Sequence, residues 1–213
     1  MKLHSYFRSS AAFRVRIALN LKGLAYETAF VHLARGEHRA SGYGAINPQA
    51  LVPSLDDDGR LLTQSLAIIE YLDETRPPTP LLPKDAPGRA RVRSLAMLIA
   101  CEIHPLNNLR VLQHLKRALG RNDEQVNAWY RHWIGDGLLR FEADLAAAGS
   151  TGKFCHGDTP TMADCCLVPQ IFNAQRYQCD TAAFPTTMRV FAECMRLDAF
   201  DRAQPSKQPD AEE

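Results

Sequence analysis

The hydrophobic periodicity near the amino terminus changes at two adjacent serines, Ser9 and Ser10. Residues 2–7 alternate as in a strand, whereas the apolar residues from Ala11 to Lys22 recur at helical spacing. Either serine could be the N-cap of the predicted helix. A strand-to-helix junction directs free backbone N–H groups and the positive end of the helix dipole toward one point. Considered alone, the junction fits both an ordinary capped helix and a binding site for an anion such as a thiolate.

Three arginines, Arg8, Arg14 and Arg16, place positive charge around the start of the predicted helix. Basic residues in this position oppose the helix dipole, so they need a separate reason. Nearby carboxylates could pair with them in an ordinary capped helix. Alternatively, the arginines could add to an anion site at the serine junction, and the rest of the chain must decide between the two interpretations.

The size and composition of the chain predict a soluble globular protein. It has 213 residues, of which 46% are hydrophobic and 23% are charged, as is usual for such proteins. The net charge of +1 implies no nucleic-acid partner. No apolar run is long enough to cross a bilayer, and no apolar signal core follows Met1. We therefore expect a cytoplasmic protein with neither a nucleic-acid nor a membrane partner.

The cysteines do not predict a metal site. They form no Cys-x-x-Cys pair, and their spacing fits no zinc site. We interpret most of them as core residues of a protein in a reducing compartment. The six are Cys101, Cys155, Cys165, Cys166, Cys179 and Cys194.

The first 76 residues predict an α+β, thioredoxin-like domain. Tyr26–Leu33 alternates as a second strand, and a strand, helix and strand in succession predict a parallel pair. Two short strands, Pro53–Asp56 and Arg60–Thr63, flank a turn at Asp57-Asp58-Gly59 and predict a hairpin. A helix that begins at Gln64-Ser65 completes the order strand, helix, strand, loop, strand, strand, helix.

The remainder of the chain predicts helices only. Proline-rich residues within 77–87 are expected to link the first domain to an all-α domain at 88–213. Thr161 and Asp164 have the spacing of a capping box, and the polar tail from Gln204 is expected to be frayed. The predicted helices span Arg89–Leu119 with a kink at Pro105, Asp123–Ala148, Thr161 through Pro169 to Tyr177, Thr186–Leu197 and Ala199–Ala203.

Two further features of the first domain indicate the same ligand chemistry as the serine junction. Val52-Pro53 stands at the start of a strand, where a cis proline would leave the backbone groups of Val52 free to pair with an extended peptide. Gln64-Ser65 begins a helix and offers a second anion site. An extended peptide with a carboxylate at each end and a thiol between them would satisfy all three features, and glutathione is such a molecule.

With these features the chain resembles the zeta class of glutathione transferases, which includes maleylacetoacetate and maleylpyruvate isomerases. The most specific stretches are the serine-serine-arginine opening of the first helix and the run after His104, since most glutathione transferases share the other pairs. The resemblance implies the glutathione transferase fold, with a thioredoxin-like glutathione-binding domain at 1–76 and an all-helical substrate-binding domain at 88–213. The matching stretches are Ser9–Leu19, Asn47–Pro53, Gln64–Leu72, His104–Asn108 and Gly157–Asp164.

The residues that the resemblance implies for glutathione fall into three groups. Ser10, with Ser9 beside it, would hold the thiolate. Backbone groups of Val52, next to Pro53, would pair with the cysteinyl part. The remaining side chains would bind the two ends of the molecule: Gln64 and Ser65 the γ-glutamyl carboxylate, and Gln49, His104 and Asn108 the glycyl end or the pocket wall.

For the substrate, the resemblance implies that Arg8 and Arg176 bind carboxylates. Considered alone, His104 could equally be a packed helix residue, and Arg176 a surface ion-pair residue. The implied reaction is the cis–trans isomerisation of a maleyl ketoacid by a homodimer, with glutathione as an unconsumed cofactor. Ala11 and Ala12 stand where the best-known zeta pattern has a cysteine and a serine, so an auxiliary protein thiol is absent.

Three other functions remain open from the sequence. The same site could conjugate or dehalogenate small electrophilic acids, or the chain could be a catalytically silent binding protein. A disulfide reductase is the third, and the absence of Cys-x-x-Cys counts against it. The sequence does not distinguish maleylacetoacetate from maleylpyruvate as the substrate.

Overall fold

A four-stranded mixed sheet forms the centre of the amino-terminal part of the chain. The structure, a computed structural model, describes residues 1–212. The sheet has the order β2-β1-β3-β4, with β1 parallel to β2 and β3 antiparallel to both of its neighbours. The expected parallel pair is therefore confirmed. The strands are β1 (Lys2–Ser5), β2 (Glu27–Phe30), β3 (Ser54–Asp57) and β4 (Arg60–Thr63).

Three helices accompany the sheet: α1 (Ser10–Leu21), α2 (Ser41–Ile46) and α3 (Ser65–Thr75). The helices α1 and α3 pack against each other, and their apolar side chains are buried together with those of β1 and β3. A short 3-10 helix, Glu37–Arg39, precedes α2. The order of elements expected for the first 76 residues, and with it the α+β fold class, is confirmed.

The hairpin between β3 and β4 has a two-residue turn. Asp57 pairs with Arg60, and the intervening Asp58 and Gly59 have φ angles of 53° and 82°. This left-handed pair of residues matches the twist of the flanking strands, and glycine adopts such a conformation without steric cost. The predicted hairpin is confirmed, with its first strand displaced by one residue.

The second compact unit, Pro83–Cys194, is helical. Its long helix α6 packs against α7 and the π-helical turn, and α4 packs against α7. Gly137 of α6 lies so close to Ile103 that a Cβ atom there would be 2.3 Å from the isoleucine side chain. The elements are α4 (Ala86–Met97), a π-helix (Leu98–Ile103), a 3-10 helix (His104–Asn107), α5 (Leu109–Arg117), α6 (Asp123–Ala147), α7 (Met162–Arg176) and α8 (Pro185–Met195).

The single kinked helix expected at Arg89–Leu119 is wrong. Pro105 has no N–H group, so the α-helical bond to the carbonyl four residues before it cannot form, and the chain changes to π and then 3-10 geometry around it. Asn108 adopts an extended conformation, and its side chain accepts a hydrogen bond from the amide of Arg110, so it begins α5 as an N-cap. Gly120, with a φ of 63°, follows the end of that helix.

The capping box at the start of α7 is confirmed. The carboxylate of Asp164 accepts hydrogen bonds from the Thr161 amide and hydroxyl, each at 2.8 Å, and from the Cys155 amide at 2.8 Å. Burial raises the pKa of Asp164. The expected helix from Thr161 to Tyr177 continues through Pro169 as predicted.

The carboxyl-terminal segment groups with the amino-terminal unit, and the expected domain boundary is wrong in this respect. One compact unit contains Met1–Leu82 and the chain from Met195 onward, including α9 (Asp198–Asp201) and a 3-10 helix (Pro205–Lys207). The physical reason is that polar groups of α1 find acceptors there: Arg16 donates to the carbonyl of Ala203, and Asn20 to that of Ala199. The expected frayed tail is also wrong, because the tail is hydrogen-bonded to this unit.

Two further observations bear on the sequence predictions. Within residues 1–212, none of the helices is both long and apolar enough to span a bilayer. None of the six cysteines, all of which lie within residues 1–212, forms a disulfide bond: four are buried, Cys179 is half-buried, and Cys101 is exposed. The interpretation of most cysteines as core residues is confirmed.

Candidate functional site

Ser9 is the N-cap of α1, which resolves the choice left open by the sequence. Its backbone is extended (φ −69°, ψ 113°), and its Oγ accepts a hydrogen bond from the Ala12 amide at 3.2 Å. Ser10 is the first residue of the helix and is buried. The first turn of α1 contains no acidic residue, so the positive end of its dipole is not neutralised from within the helix.

Arg16 has a structural role that the sequence did not reveal. Its side chain is completely buried, and its guanidinium donates to the Ser5 hydroxyl at 3.1 Å and to the carbonyls of Phe7 and Ala203, each at 3.0 Å. Burial lowers the pKa of Arg16 to about 10, so it remains charged at neutral pH. The guanidinium of Arg16 thus joins the backbone carbonyls of Phe7 and Ala203 by hydrogen bonds.

Arg14 links the starts of two helices. It is buried, and its Nη1 donates to the Ser65 hydroxyl at 3.3 Å. Ser65 is the first residue of α3. The two predicted anion sites, at Ser9-Ser10 and at Gln64-Ser65, therefore belong to helices that pack together and are joined by this hydrogen bond.

Arg8 is the arginine of the three that lies at the surface. Its Nη2 donates to the Tyr6 hydroxyl at 3.3 Å, and its guanidinium carbon is 5.0 Å from the centre of the Phe7 ring. Stacking on an aromatic ring is a common way to restrict a guanidinium without neutralising it. This arginine lies directly before the serine junction. The resemblance implies that it binds a carboxylate of the substrate.

The Val52-Pro53 peptide bond is cis, as expected. Just before it, the carbonyl of Leu51 accepts hydrogen bonds from the Tyr43 hydroxyl at 2.7 Å and from the Asn47 side-chain NH2 group at 2.8 Å. These bonds fix the loop that enters β3. Among residues 1–212, no protein group forms a hydrogen bond with the Val52 amide or carbonyl. Backbone groups without a protein partner can pair with an extended peptide, so the role predicted for Val52 stays a prediction.

Gln64 immediately precedes α3 in a strained conformation. Its φ of 68° and ψ of 116° lie outside the regions that residues with a side chain usually adopt. The Gln64 side-chain NH2 group donates to the Gln49 side-chain carbonyl at 2.8 Å, and the Gln49 side-chain NH2 group donates to the Thr63 hydroxyl at 3.2 Å. Gln49 therefore lies beside the predicted γ-glutamyl site, whereas the resemblance implies a role for it at the glycyl end or the pocket wall.

Three predicted site residues belong to the helical unit. His104 is half-buried at the start of the 3-10 helix, and Asn108 caps α5. Arg176 is the exposed last residue of α7, where a positive charge favours the helix dipole. Asn108 therefore has a structural role, as the N-cap of α5, in addition to its predicted role in binding.

A stacked pair of tyrosines, which was not predicted from the sequence, lies beside Arg176. The guanidinium carbon of Arg176 is 5.4 Å from the centre of the Tyr177 ring. Tyr177 in turn stacks on the buried Tyr130, with ring centres 3.6 Å apart and planes inclined by 9°. No local pattern announces this contact, because the two tyrosines are distant in sequence.

Comparisons with known proteins agree over the whole chain. Residues 8–75 match the model of a protein family that is described as "Glutathione S-transferase, N-terminal domain". A maleylpyruvate isomerase from a Ralstonia species is 49% identical over 211 residues, which cover 99% of this chain and 100% of that protein.

Solved structures show the same likeness. A holo maleylpyruvate isomerase, described as a bacterial zeta-class glutathione S-transferase, has 48% identity, a TM-score of 0.98 and full coverage of both chains. A maleylacetoacetate isomerase from Anaeromyxobacter dehalogenans, with dicarboxyethyl glutathione and citrate bound in its active site, has 43% identity and a TM-score of 0.87. That match covers 100% of this chain and 97% of the other.

Proposed function

The chain belongs to the maleylpyruvate and maleylacetoacetate isomerases of the zeta class of glutathione transferases, and we propose that it isomerises a maleyl ketoacid from cis to trans with glutathione as cofactor. The observation that carries this proposal is the 49% identity to the Ralstonia maleylpyruvate isomerase, since it extends over 99% of this chain. The match to the zeta-class structure, over the full length of both chains, confirms the expected glutathione transferase fold.

The residues of the amino-terminal unit fit glutathione. The free backbone groups of Val52 suit the cysteinyl part, and the first turns of α1 and α3 suit the thiolate and the γ-glutamyl carboxylate. We assign Ser9 and Ser10 to the thiolate and Gln64 and Ser65 to the carboxylate, with Gln49 held against Gln64. His104 and Asn108 are assigned to the glycyl end or the pocket wall.

When bound, glutathione supplies a thiolate that adds reversibly to the maleyl double bond, which allows rotation from cis to trans. The task of the serine junction is to keep the sulfur ionised. A free thiol with a pKa near 8.5 is only a few per cent ionised at pH 7, so lowering the pKa by about 2 units increases the nucleophile more than tenfold. A hydroxyl donor and the α1 dipole both favour the charged sulfur.

Arg8 and Arg176 are the proposed ligands of the substrate carboxylates. Both guanidinium groups are at the surface, and each is restricted by a neighbouring aromatic ring. The relative from A. dehalogenans binds dicarboxyethyl glutathione in its active site, and the two additional carboxylates of that ligand parallel the diacid proposed here. We further propose that the protein is a cytoplasmic homodimer, and the absence of disulfide bonds among the six cysteines supports a reducing compartment.

A spectrophotometric assay tests the proposal directly. Purified protein is mixed with maleylpyruvate or maleylacetoacetate, with and without glutathione, and formation of the fumaryl isomer is followed. We expect turnover only with glutathione, and free thiol that is undiminished at the end. Equal turnover in thiol-free buffer would contradict the mechanism. Loss of thiol with a chlorinated acid, together with inactivity on both maleyl ketoacids, would favour conjugation or dehalogenation instead.

A further inference from the structure

The tail, residues 204–212, reaches back to the strand-to-helix junction. The Oδ2 atom of Asp210 accepts a hydrogen bond from the amide of Phe7 at 3.0 Å, across 203 residues of sequence. Phe7 is followed by Arg8 and then by the N-cap Ser9, whose own amide donates to the Tyr6 carbonyl at 2.9 Å. The tail therefore contacts the turn that sets the position of the two serines.

The backbone of Phe7 is held by charged side chains on both of its polar groups. Its amide donates to Asp210, and its carbonyl accepts from Arg16 at 3.0 Å. Arg16 also donates to Ala203, the residue before the tail, so it connects the Phe7 carbonyl with the chain that leads into the tail. Hydrogen bonds to charged groups are stronger than those between neutral groups, and here they fix the entry of the chain into α1.

The tail is itself ordered by hydrogen bonds. The Gln208 side chain donates to the carbonyls of Arg202 and Gln204, each at 2.9 Å. At its end, Glu212 pairs with His32 at 3.1 Å and with Arg35. Asp210 is therefore presented to Phe7 by a segment with fixed attachments before and after it.

We propose that Asp210 is a positioning residue for the thiolate site, acting through the Phe7 amide on the geometry of Ser9 and Ser10. This inference rests on the proposed glutathione-dependent function. A displacement of the serine hydroxyls by a fraction of an ångström weakens a hydrogen bond to sulfur, because such bonds depend on distance and angle.

The hydrogen bond that Asp210 accepts from the Phe7 amide and the negative charge of Asp210 have opposite effects on the pKa of bound glutathione. Loss of the acceptor loosens the turn, weakens the hydroxyl bond to sulfur and raises the pKa of bound glutathione. Loss of the negative charge alone removes a repulsion and lowers that pKa. Asp210→Asn keeps an acceptor for the Phe7 amide and removes the charge, whereas Asp210→Ala removes both.

The experiment compares these two full-length variants with Asp56→Ala as a matched control. Asp56 also accepts a backbone bond, from the Gly59 amide at 2.8 Å, but in the hairpin turn of the same unit. Ultraviolet thiolate absorbance against pH gives the pKa of bound glutathione. Hydrogen–deuterium exchange of the free protein gives the order of the segment from Phe7 to Phe13 without any ligand.

We expect Asp210→Ala to raise the pKa of bound glutathione by about half a unit to one unit and to accelerate exchange in this segment several-fold. Asp210→Asn is expected to restore slow exchange, with a thiolate pKa at or slightly below that of the unsubstituted protein. The control should leave both readouts unchanged.

Two results would overturn the inference: unchanged exchange in Asp210→Ala, or a thiolate pKa that falls equally in both Asp210 variants. Faster exchange in a protein that does not bind glutathione would contradict the proposed function while leaving the contact of the tail with the junction established. The ligand-free readout thus separates the two failures.

Discussion

Arg14 and Ser65 are joined by a buried hydrogen bond of 3.3 Å that connects the amino-terminal ends of α1 and α3. The guanidinium lies within the interior, with 2% of its residue surface exposed, so the bond is shielded from solvent. Ser65 is one of the residues assigned to the γ-glutamyl carboxylate of glutathione. The orientation of its hydroxyl therefore depends on a residue of the other helix.

Arg14→Lys should weaken glutathione binding about tenfold, because a lysine does not reproduce the planar fork that reaches Ser65, and a hydrogen bond to a charged donor is worth about 1.5–3 kcal/mol. Isothermal titration calorimetry with glutathione measures the change in Kd. Arg140→Lys is the matched control, since Arg140 is an exposed residue that pairs with Asp136 on α6. An unchanged Kd in Arg14→Lys would show that Ser65 needs no orienting partner.

Ser9→Ala and Ser10→Ala should have different effects. Ser9 caps α1, so its loss should lower the free energy of unfolding by about 0.5–2 kcal/mol. Ser10→Ala should raise the pKa of bound glutathione by about 1 to 2 units, since removal of a donor to the charged form disfavours that form. Chemical unfolding and thiolate absorbance measure the two quantities. A thiolate pKa that responds only to Ser9→Ala would move the central role to Ser9.

Arg176→Ala should increase KM for the maleyl ketoacid more than tenfold and leave the Kd of glutathione nearly unchanged, because a lost charge-assisted contact costs about 1.5–3 kcal/mol. Steady-state kinetics with Arg140→Ala as a control measure this. Tyr177→Leu should give a smaller increase, since it removes the ring that restricts the guanidinium, and Tyr177→Phe should restore KM. A KM that does not respond to Arg176→Ala would leave that residue with its helix-terminal role alone.

The stability contributed by Asp57 should depend on pH. Its carboxylate accepts from the Tyr71 hydroxyl at 2.7 Å and from Arg76 at 2.9 Å, and these bonds, the Tyr71 bond above all, lower the pKa of Asp57. A pKa that is lower in the folded protein stabilises it above the ordinary aspartate value of about 4, and the contribution is lost as pH falls through the folded value.

Asp57→Asn should therefore destabilise the protein most near neutral pH, and the difference from the unsubstituted protein should shrink below about pH 4. Urea unfolding at a series of pH values measures this difference. Tyr71→Phe should reduce the pH dependence, because it removes the largest cause of the shift. A constant difference across the series would contradict the assignment.

Local patterns predicted much of the fold. The change of period at the two serines, the hairpin turn at Asp57-Asp58-Gly59 and the capping box at Thr161 each depend on residues close together in sequence, and each was found as expected. The helix through Pro105 was not predicted correctly, because the choice between a kink and a complete break depends on whether a new cap follows, and Asn108 supplies one.

Contacts over long sequence distances explain the other differences. The sequence left Arg16 open between an ion pair with carboxylates and an anion site, since its acceptors at Phe7 and Ala203 can be recognised only after the chain has folded. The contact between Gln49 and Gln64 likewise depends on how two loops pack against each other. The stacking of Tyr130 on Tyr177 depends on how two helices pack.

The amino-terminal unit is assembled from two segments that are separated by more than 100 residues of sequence. During synthesis, residues 1–82 leave the ribosome long before Ala203 and Asp210 are made, so Arg16 and the Phe7 amide first emerge without these partners. Completion of this unit therefore has to wait until the segment from Met195 to Asp210 has also emerged from the ribosome. A nascent chain that stops before Ala203 contains every strand of the sheet and still carries a buried guanidinium that lacks one of its carbonyl acceptors.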